Sequence, residues 1–250
     1  MVDTVAIYDM HCHVDLMESM TDFCQSSQNK NIGLLTMTTT PKAYEIEIKK
    51  LSMFSSVWVA LGLHPQLVAD RFNELSIVEK HIAQSRFIGE IGLDYNRQHY
   101  HSKEQQLVAF NQIISWCQRY GSKVISIHSV RSDKDVLDTL EEYNCPKDNH
   151  CILHWYSGTN KQLERAIKIG CYFSINEYMV NSANGQSIIK KIPVDKLLLE
   201  TDAPFISNIK TVEYLEKSLF FCLKKLNVIV GVDVSNIISE TSELLLQKPK

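Results

Sequence analysis

The sequence predicts an α/β fold in which eight parallel strands alternate with helices. Short apolar runs recur along its 250 residues, and several are continuous, which is typical of strands that are covered on both faces. The runs begin roughly 27 residues apart on average, which is the length of one strand–helix unit, and eight such units can close a ring. The predicted strands are 5–8, 32–37, 57–61, 87–91, 123–127, 151–153, 171–175 and 197–199. Together they predict a TIM (β/α)8 barrel.

Helical periodicity fills the intervals between several of these strands. Apolar residues recur every three or four positions over 105–119, 133–143 and 161–169. The segment 210–247 predicts two further helices with no strand between them, although the apolar run 228–232 is ambiguous. Barrels of 200–250 residues commonly form one domain, and no Pro-, Gly- or Ser-rich linker interrupts the chain. We therefore expect one barrel domain over residues 1–250.

A doubly wound open sheet is the competing architecture for alternating strands and helices. Such sheets usually carry a glycine-rich, nucleotide-binding turn after the first strand. Here the first strand is followed by Asp9-Met-His11-Cys-His13, and no glycine occurs before Gly33. The absence of that turn favours the barrel.

Composition and charge exclude several classes of protein. The chain is 44% hydrophobic and 22% charged, which are ordinary globular values and exclude disordered, collagen-like and coiled-coil proteins. Its net charge of −3 argues against a broad basic surface that grips nucleic acid. Seven cysteines without a CxxC pair make a disulfide framework or a zinc finger a poor interpretation and indicate a reducing compartment. Since neither a signal peptide nor a long apolar stretch is found, we expect a cytoplasmic protein that does not enter membranes.

The first cluster of chemistry-bearing residues is Asp9-x-His11-x-His13, at the end of the first predicted strand. Because strand side chains alternate between faces, all three side chains are expected on the same face. The carboxyl ends of barrel strands form the mouth at which barrel enzymes place their active sites. Two imidazoles beside an acidic residue suit a first-row divalent metal, so this segment predicts part of a metal site.

Other predicted strands end in residues of the same chemical types. Their segments are Gly62-Leu-His64-Pro65, Gly89-Glu90-Ile-Gly92-Leu-Asp94-Tyr95, Ile127-His128-Ser129, Leu153-His154-Trp-Tyr-Ser-Gly158 and Leu199-Glu200-Thr-Asp202-Ala-Pro204. Imidazoles and carboxylates without a thiolate are the donors of hydrolytic sites with one or two divalent cations. Glu90 is placed to bridge two ions, and Asp202 is placed to ligate one ion and to accept a proton from the attacking water.

A cation is expected for an energetic reason. General acid–base catalysis alone accelerates a reaction by about 10²–10⁴-fold. A bound divalent cation lowers the pKa of water from about 15.7 toward 7 and so supplies a nucleophile at neutral pH. A pair of ions about 3.5–4 Å apart also stabilises the attacking and leaving oxygens of a phosphodiester.

In this order and spacing, the motifs resemble the TatD family, metal-dependent deoxyribonucleases of the amidohydrolase superfamily, over residues 5–205. The resemblance implies a TIM barrel that binds two divalent cations, Mg²⁺, Mn²⁺ or Zn²⁺. The metal ligands that it implies are His11, His13, Glu90, His128, His154 and Asp202. Glu90 would bridge the ions and Asp202 would activate water, so these two are the expected catalytic residues. His64 would contact a substrate phosphate, and Asp9 would orient the first histidine pair without ligating metal.

The chain departs from the usual pattern of this family after Asp202. Members usually continue with a proline- and arginine-rich loop that walls the substrate cleft. Here the segment 205–211 leads almost directly into a predicted helix, and Val130 replaces the usual arginine after His128-Ser129. The resemblance therefore indicates a divergent member, of the type found in bacterial anti-phage defence operons, with partner proteins from the same operon.

Three functions are compatible with these residues. The first is a metal-dependent 3′–5′ exonuclease on single-stranded DNA, because a free single-stranded end can thread into a barrel mouth whereas a duplex must first fray. The second is hydrolysis of a small amide, lactone or phosphoester, which the same superfamily site and the missing loop allow. The third is a non-catalytic module that binds nucleic acid or a partner protein, which the complete ligand set disfavours.

Aromatic residues also follow the strand ends. Tyr95, Trp155 and Tyr156 lie next to candidate ligands in the sequence. They are expected either to line the cleft or to stack on a nucleic-acid base, and the sequence leaves both roles open.

Overall fold

The computed structural model describes residues 7–247, and in this range eight strands alternate with helices. The strands are β1 (Ile7–Cys12), β2 (Ile32–Met37), β3 (Val57–Ala60), β4 (Phe87–Asp94), β5 (Val124–Val130), β6 (His150–His154), β7 (Tyr172–Ile175) and β8 (Leu197–Leu199). The helices are α1 (Met20–Asn29), α2 (Pro41–Leu51), α3 (Val68–Arg71), α4 (Leu75–Ile82), α5 (Lys103–Tyr120), α6 (Asp133–Glu142), α7 (Asn160–Lys168), α8 (Glu177–Asn181), α9 (Ala183–Ile189), α10 (Val212–Val230) and α11 (Ser235–Leu246). All eight predicted strands are present, although Val5 and Ala6 of the first one lie outside the described residues.

Four strands continue beyond their predicted carboxyl ends, and the first of them, β1, reaches Cys12. β4 reaches Asp94, β5 reaches Val130 and β6 includes His154. The polar residues do not end these strands, because their backbones remain paired, with Gly92 opposite His128 and Asp94 opposite Val130. The chemistry-bearing side chains of β4, β5 and β6 therefore project from strand backbone rather than from loops.

The strands form a closed parallel ring. β1, β2 and β3 pair in this order, and so do the strands from β4 to β8. A bridge between Leu61 and Ile88 joins the two sets. The other seam is closed where the Asp202 N–H donates a hydrogen bond to the His11 carbonyl oxygen over 2.9 Å. The predicted TIM barrel is confirmed, and the open-sheet alternative is excluded.

Two β-bulges change which residues face the barrel interior. The pairing register shifts between Asp9 and Cys12 of β1, and again between Ile88 and Ile91 of β4. In each bulge, an advance of three residues along the bulged strand pairs with an advance of two residues along the neighbouring strand. The regular alternation of side chains between the two faces is therefore interrupted. The expectation of unbroken alternation through residues 9–13 is therefore wrong.

The apolar core has an inner and an outer part. The inner cluster takes at least one residue from every strand, including Met10, Met37 and Leu198, which identifies it as the barrel interior. Leu245 and Leu246 of α11 belong to the same cluster and close the base of the barrel, opposite the mouth. The outer cluster packs the strands against the surrounding helices.

Gly62 shows how closely the strand ends approach one another at the mouth. A Cβ atom at this position would lie 1.9 Å from the Thr38 carbonyl oxygen and 2.6 Å from the Glu90 nitrogen. Any other residue would force these backbones apart, so glycine is required here. The segment after β3 thus passes beside Glu90 and brings His64 to the mouth.

The chain beyond β8 is helical, as the sequence predicts. α10 ends before Gly231, which adopts a left-handed conformation with φ 83°, so the ambiguous run 228–232 ends a helix and forms no strand. No helix within residues 7–247 is long and apolar enough to cross a membrane. All seven cysteines are buried free thiols.

Candidate active site

The structure brings together all seven side chains that are predicted to bind metal or substrate. Each lies on a strand near its carboxyl end or shortly after a strand. They are His11 and His13 at the end of β1, His64 after β3, Glu90 in β4, His128 in β5, His154 in β6 and Asp202 after β8. All except His64 are buried, and the His64 side chain is 12% exposed.

Glu90 lies at the centre of this group. Its two carboxylate oxygens are close to imidazole nitrogens of five histidines, which come from four positions in the ring of strands. The shortest distances are 3.5 Å to His11 Nε2, 3.3 Å to His13 Nε2, 3.3 Å to His64 Nε2, 2.6 Å to His128 Nδ1 and 2.9 Å to His154 Nε2. A carboxylate shared by five histidines fits the bridging position that the resemblance implies.

Asp202 faces the histidine pair of β1. Its Oδ1 lies 3.5 Å from His13 Nε2 and 3.7 Å from His11 Nε2, and those two nitrogens are 3.3 Å apart. The Asp202 backbone has a φ of 50°, a left-handed conformation that few residues other than glycine adopt. Such conformations cluster at functional sites, where the surrounding structure holds them in place.

Burial and neighbouring groups set the protonation of the site. Burial acts to raise the pKa of Glu90, but the imidazoles of His64 and His154 hold it well below its usual range. Burial likewise opposes the ionisation of Asp202, whose pKa is lowered by its hydrogen bond with His13. Burial acts to lower the pKa of His13, whereas hydrogen bonds to Asp202 and Glu90 raise it to about 10. Two ionised carboxylates thus lie beside His13, whose raised pKa favours the protonated ring that balances part of their charge.

This set of donors fits a divalent cation. Among the described residues, three groups of side chains have ligand atoms within 4.8 Å of one another. They are His11, His13 and Asp202; His64, Glu90 and His128; and His11, His154 and Glu200. Ligands must be deprotonated, so the imidazoles give up their protons when a cation binds and balances the carboxylates instead. Imidazole nitrogen and carboxylate oxygen are suitable donors for Zn²⁺, Mn²⁺ and related ions.

Asp94 orients His128. Its Oδ2 lies 3.2 Å from His128 Nε2 and accepts a hydrogen bond from Gln66 Nε2 over 2.7 Å, while its Oδ1 accepts the Asn96 backbone N–H over 2.8 Å. Although burial acts to raise the pKa of Asp94, these contacts lower it to about 2. An ionised Asp94 therefore fixes both the His128 ring and the turn after β4.

Asp9 holds the backbone of β1 against the segment after β8. Its carboxylate accepts hydrogen bonds from the backbone N–H groups of His11 (3.2 Å) and Thr201 (3.0 Å), and from the Thr201 hydroxyl. Burial raises the pKa of Asp9 to about 7, although the hydrogen bonds from Thr201 act to lower it. Asp9 therefore positions His11 through its backbone rather than through the imidazole ring.

Ser126 is a neighbour of the site that sequence reasoning missed. Its Oγ lies 2.7 Å from His11 Nδ1 and so fixes the orientation of that ring. The sequence contains a signal for this role, because Ser126 precedes His128 by two positions and its side chain therefore lies on the same face of β5.

Glu200 was also missed as a site residue. It is fully buried, its Oε2 lies 3.6 Å from His154 Nδ1, and it accepts hydrogen bonds from Ser174 and from Asn176. Glu200 precedes Asp202 by two positions, which is the same signal that marks Ser126. A buried acidic residue two positions before Asp202 predicts a hydrogen-bond partner for a histidine that points into the barrel.

Five of the seven side chains, those of His64, Glu90, His128, His154 and Asp202, line a cleft with a volume of about 830 Å³, and His11 and His13 are fully buried beneath it. Trp155 and Phe205 also line it, so the short segment after Asp202 still contributes a wall. Tyr95 and Tyr156, the other two aromatic residues that follow strand ends, do not line the cleft. Tyr156 is buried and its hydroxyl donates to the Thr159 carbonyl oxygen, and the partly buried Tyr95 donates to Asp135.

Comparison with solved structures supports the fold. The structure described as YJJV, a TATD homolog from Escherichia coli K12, superposes with a TM-score of 0.81 over 98% of this chain and 99% of that chain, at 20% identity. A TatD family hydrolase from Entamoeba histolytica superposes with a TM-score of 0.80 over 97% of this chain and 98% of that chain, at 17% identity.

Sequence comparison finds relatives that are described as metal-dependent hydrolases or nucleases. An uncharacterised metal-dependent hydrolase of Buchnera aphidicola subsp. Baizongia pistaciae is 28% identical over 80% of this chain and 79% of its own length. The human protein named Deoxyribonuclease TATDN3 is 23% identical over 97% of this chain and 94% of its own length. A protein of Erwinia tasmaniensis named 3′-5′ ssDNA/RNA exonuclease TatD is 30% identical over 60% of this chain and 59% of its own length. The family model described as TatD related DNase matches residues 8–246, so the chain belongs to this family of metal-dependent hydrolases.

Proposed function

We propose that this protein is a metal-dependent phosphodiesterase that removes nucleotides from the 3′ ends of single-stranded DNA. The observation that carries the proposal is the convergence of five imidazoles on Glu90, which lines one cleft together with Asp202. The names of relatives from human and Erwinia tasmaniensis, a deoxyribonuclease and a 3′-5′ ssDNA/RNA exonuclease, support the same chemistry.

The ligands of this site would hold two cations, with Glu90 shared between them. The full proposed set is His11, His13, Glu90, His128, His154 and Asp202. Bound cations supply Lewis acidity at the phosphoryl group and a water of lowered pKa. The Asp202 carboxylate, which is ionised and faces the cleft, accepts the proton from the attacking water.

His64 would bind the substrate phosphate at the edge of the cleft. Its Nδ1 accepts the Gln66 backbone N–H over 3.2 Å, and burial lowers the pKa of the ring. The neutral ring therefore carries its proton on Nε2, which faces Glu90 and the cleft. An N–H donor at this partly exposed position suits a non-bridging phosphate oxygen.

A single-strand terminus suits the size of the cleft. Its volume of about 830 Å³ lies in the range of sites that enclose ligands of drug size, which matches a terminal nucleotide and its neighbour. A duplex would have to unpair its end before the terminal phosphodiester could reach Glu90 and Asp202.

The test uses single-stranded DNA labelled at either end, with Mg²⁺, Mn²⁺ or Zn²⁺ added to the purified protein. We expect a 5′ label to remain on progressively shorter fragments and a 3′ label to be released at once. Glu90→Gln should abolish cleavage, whereas Glu79→Gln, on an exposed position of α4, should not change it. Intact DNA in the presence of folded, metal-loaded protein, or equal activity of Glu90→Gln, would contradict the proposal.

Hydrolysis of a small molecule is the second candidate, and one observation favours it. Among the described residues that line the cleft there is no lysine or arginine, although such residues usually bind the phosphate backbone of nucleic acids. Turnover of a nucleotide analogue, lactone or amide, with no cleavage of any oligonucleotide, would select this candidate.

Three further assignments stay predictions. They are the single domain over residues 1–250, the cytoplasmic location, and the place in an anti-phage operon with partner proteins. Of the predicted domain, residues 1–6 and 248–250 lie outside the described range. The genes that neighbour the coding sequence test the operon prediction directly.

A further inference from the structure

The cleft carries an aromatic surface that the proposed catalysis does not use. Trp155 and Phe205 line the cleft, Tyr178 stacks on Trp155, and we call these three residues the aromatic rim. The rings of Trp155 and Tyr178 are stacked, with centroids 5.4 Å apart and planes inclined by 16°. Tyr178 is 56% exposed and Phe205 is 59% exposed, so both offer aromatic surface to a ligand.

The rim is continuous with the candidate metal ligands. Trp155 directly follows His154 in the chain and lines the cleft. Phe205 also lines the cleft and packs with its edge against the His13 ring, at a centroid distance of 5.2 Å. A planar group that stacks on the rim would therefore lie beside the reacting centre.

The backbone of Trp155 is held in an unfavourable conformation. Its φ is 40°, in the left-handed region, which is an outlier for a bulky aromatic residue. Such conformations cost about 1–3 kcal/mol and cluster at active sites and ligand-binding positions. The indole is thus held at the cleft in spite of a local conformational cost.

The charge of the cleft disfavours recognition through the phosphate backbone. Its described lining contains Glu90, Asp94 and Asp202 but no lysine or arginine. Base–aromatic stacking contributes about 1–3 kcal/mol per base and tolerates every base, because each base has an aromatic face. Apart from the proposed cations and His64, which would contact the phosphate, stacking is therefore the contact that this cleft offers to the bases of a single strand.

We propose that the aromatic rim recognises an unpaired nucleobase, so that this protein selects its substrate by stacking rather than by contacts to the phosphate backbone. The inference rests on the proposed function and names the feature that the substrate must carry. Trp155 and Tyr178 are then specificity-determining residues. A strand that lacks bases at its 3′ end would be a poor substrate although its phosphodiester bonds are unchanged.

The experiment compares two single-stranded oligodeoxynucleotides. The last nucleotides at the 3′ end carry bases in one and are abasic in the other, and the two are otherwise identical. For each, kcat/KM and the equilibrium affinity are measured. Stacking of about 1–3 kcal/mol corresponds to a preference of about 5–150-fold for the oligonucleotide with bases. Trp155→Ala should remove most of this preference, because it should lower kcat/KM and affinity for the oligonucleotide with bases far more than for the abasic one.

Three variants separate recognition from folding. Trp155→Phe keeps an aromatic face and should retain most of the preference. Tyr178→Ala removes the outer ring of the stacked pair at an exposed position and should lower the preference without lowering the melting temperature. Tyr214→Ala, at a position of α10 that is 62% exposed, is the matched control and should change neither substrate.

The outcomes distinguish this inference from the proposed function. Equal kcat/KM of the wild type on both oligonucleotides, or an equal loss on both in Trp155→Ala, would overturn recognition by stacking while leaving the nuclease in place. Cleavage of neither oligonucleotide would contradict the proposed function. The affinities then decide the inference, since equal binding of both strands would overturn it and weaker binding of the abasic strand would support it.

Discussion

At the mouth of the barrel the strands end in imidazoles and carboxylates. At the base, the inner cluster consists of apolar side chains and two tyrosines. At the mouth, Glu90 and Asp202 remain ionised although they are buried, because five histidines surround them. At the base, Leu198, Leu245 and Leu246 close the interior with apolar side chains. The same strands thus carry costly buried charges at one end and stabilising apolar contacts at the other.

Because of this difference, we expect substitutions at the two ends of the barrel to have different effects. Substitutions at the mouth should change activity and metal affinity more than the free energy of unfolding. Substitutions at the base should do the reverse. Four variants test this separation in order of decreasing effect.

Glu90→Gln should have the largest effect. It removes the charge that five histidines share, and we expect activity to fall by about 10³-fold or more, or ~4 kcal/mol in the activation free energy. Metal content per protein, measured on the purified variant, should fall in parallel. A variant that retains both metal and activity would show that the centre of the site lies elsewhere.

Leu198→Ala tests the base. Leu198 is fully buried in the inner cluster, and its truncation leaves a cavity that should lower the free energy of unfolding by about 2–5 kcal/mol. Below the melting temperature, kcat should match that of the wild type. Leu244→Ala, at a position of α11 that is 61% exposed, is the control and should leave stability nearly unchanged. A large loss of kcat in folded Leu198→Ala would break the separation between the two ends.

Glu200→Gln has an intermediate expected effect. It removes the negative charge 3.6 Å behind His154 Nδ1 while keeping the volume of the side chain. Loss of such a supporting residue typically lowers metal affinity or activity by about 10–100-fold. Titration with Zn²⁺ or Mn²⁺ measures the affinity, and Glu240→Gln, at an exposed position, is the control. Unchanged affinity would restrict Glu200 to its hydrogen bonds with Ser174 and Asn176.

Glu47→Gln should have the smallest effect and the opposite sign. Glu47 is 1% exposed, neither of its carboxylate oxygens has a hydrogen-bond partner among the described residues, and burial, with the nearby Asp15, raises its pKa to about 9. A carboxyl group whose pKa is raised on folding favours the folded state below its unfolded pKa of about 4.3 and costs stability as pH rises toward 9. Glu47→Gln should therefore stabilise the protein by about 1–2 kcal/mol at pH 8 and have little effect at pH 4.

Chemical denaturation at both pH values measures this difference. Glu79→Gln, at an exposed position, should show no pH-dependent gain. A Glu47→Gln variant that is less stable than the wild type at pH 8 would contradict the expectation.

Much of the site could be predicted because barrel strands are short and their ends converge. The spacing of the apolar runs was sufficient to place eight strands, and each of the residues His11, His64, His128 and His154 lies where its strand meets the mouth. Convergence followed from the topology alone, since the carboxyl ends of parallel strands share one edge.

The remaining features depend on geometry that leaves little trace in a sequence. The bulge in β1 turns the consecutive residues Met10 and His11 toward the interior, and no glycine marks its position, whereas Gly89 with φ 152° lies within the bulge of β4. The role of Asp9 toward the His11 backbone depends on the hydrogen bond to Thr201, 192 positions away. Phe205 was not predicted as a wall, because its place beside His13 follows from the turn after Asp202.

The closure of the base by α11 has a consequence for biosynthesis. Tyr8 donates a hydrogen bond to Glu243 over 3.1 Å across 235 positions, and the Arg86 guanidinium donates to the Leu245 carbonyl oxygen over 2.9 Å. Contacts between such distant positions form slowly, and the N-terminal part of a chain leaves the ribosome first. The inner face of the early strands thus stays uncapped until α11, Ser235–Leu246, has left the ribosome. During this interval the nascent chain should depend on chaperones that shield apolar surface.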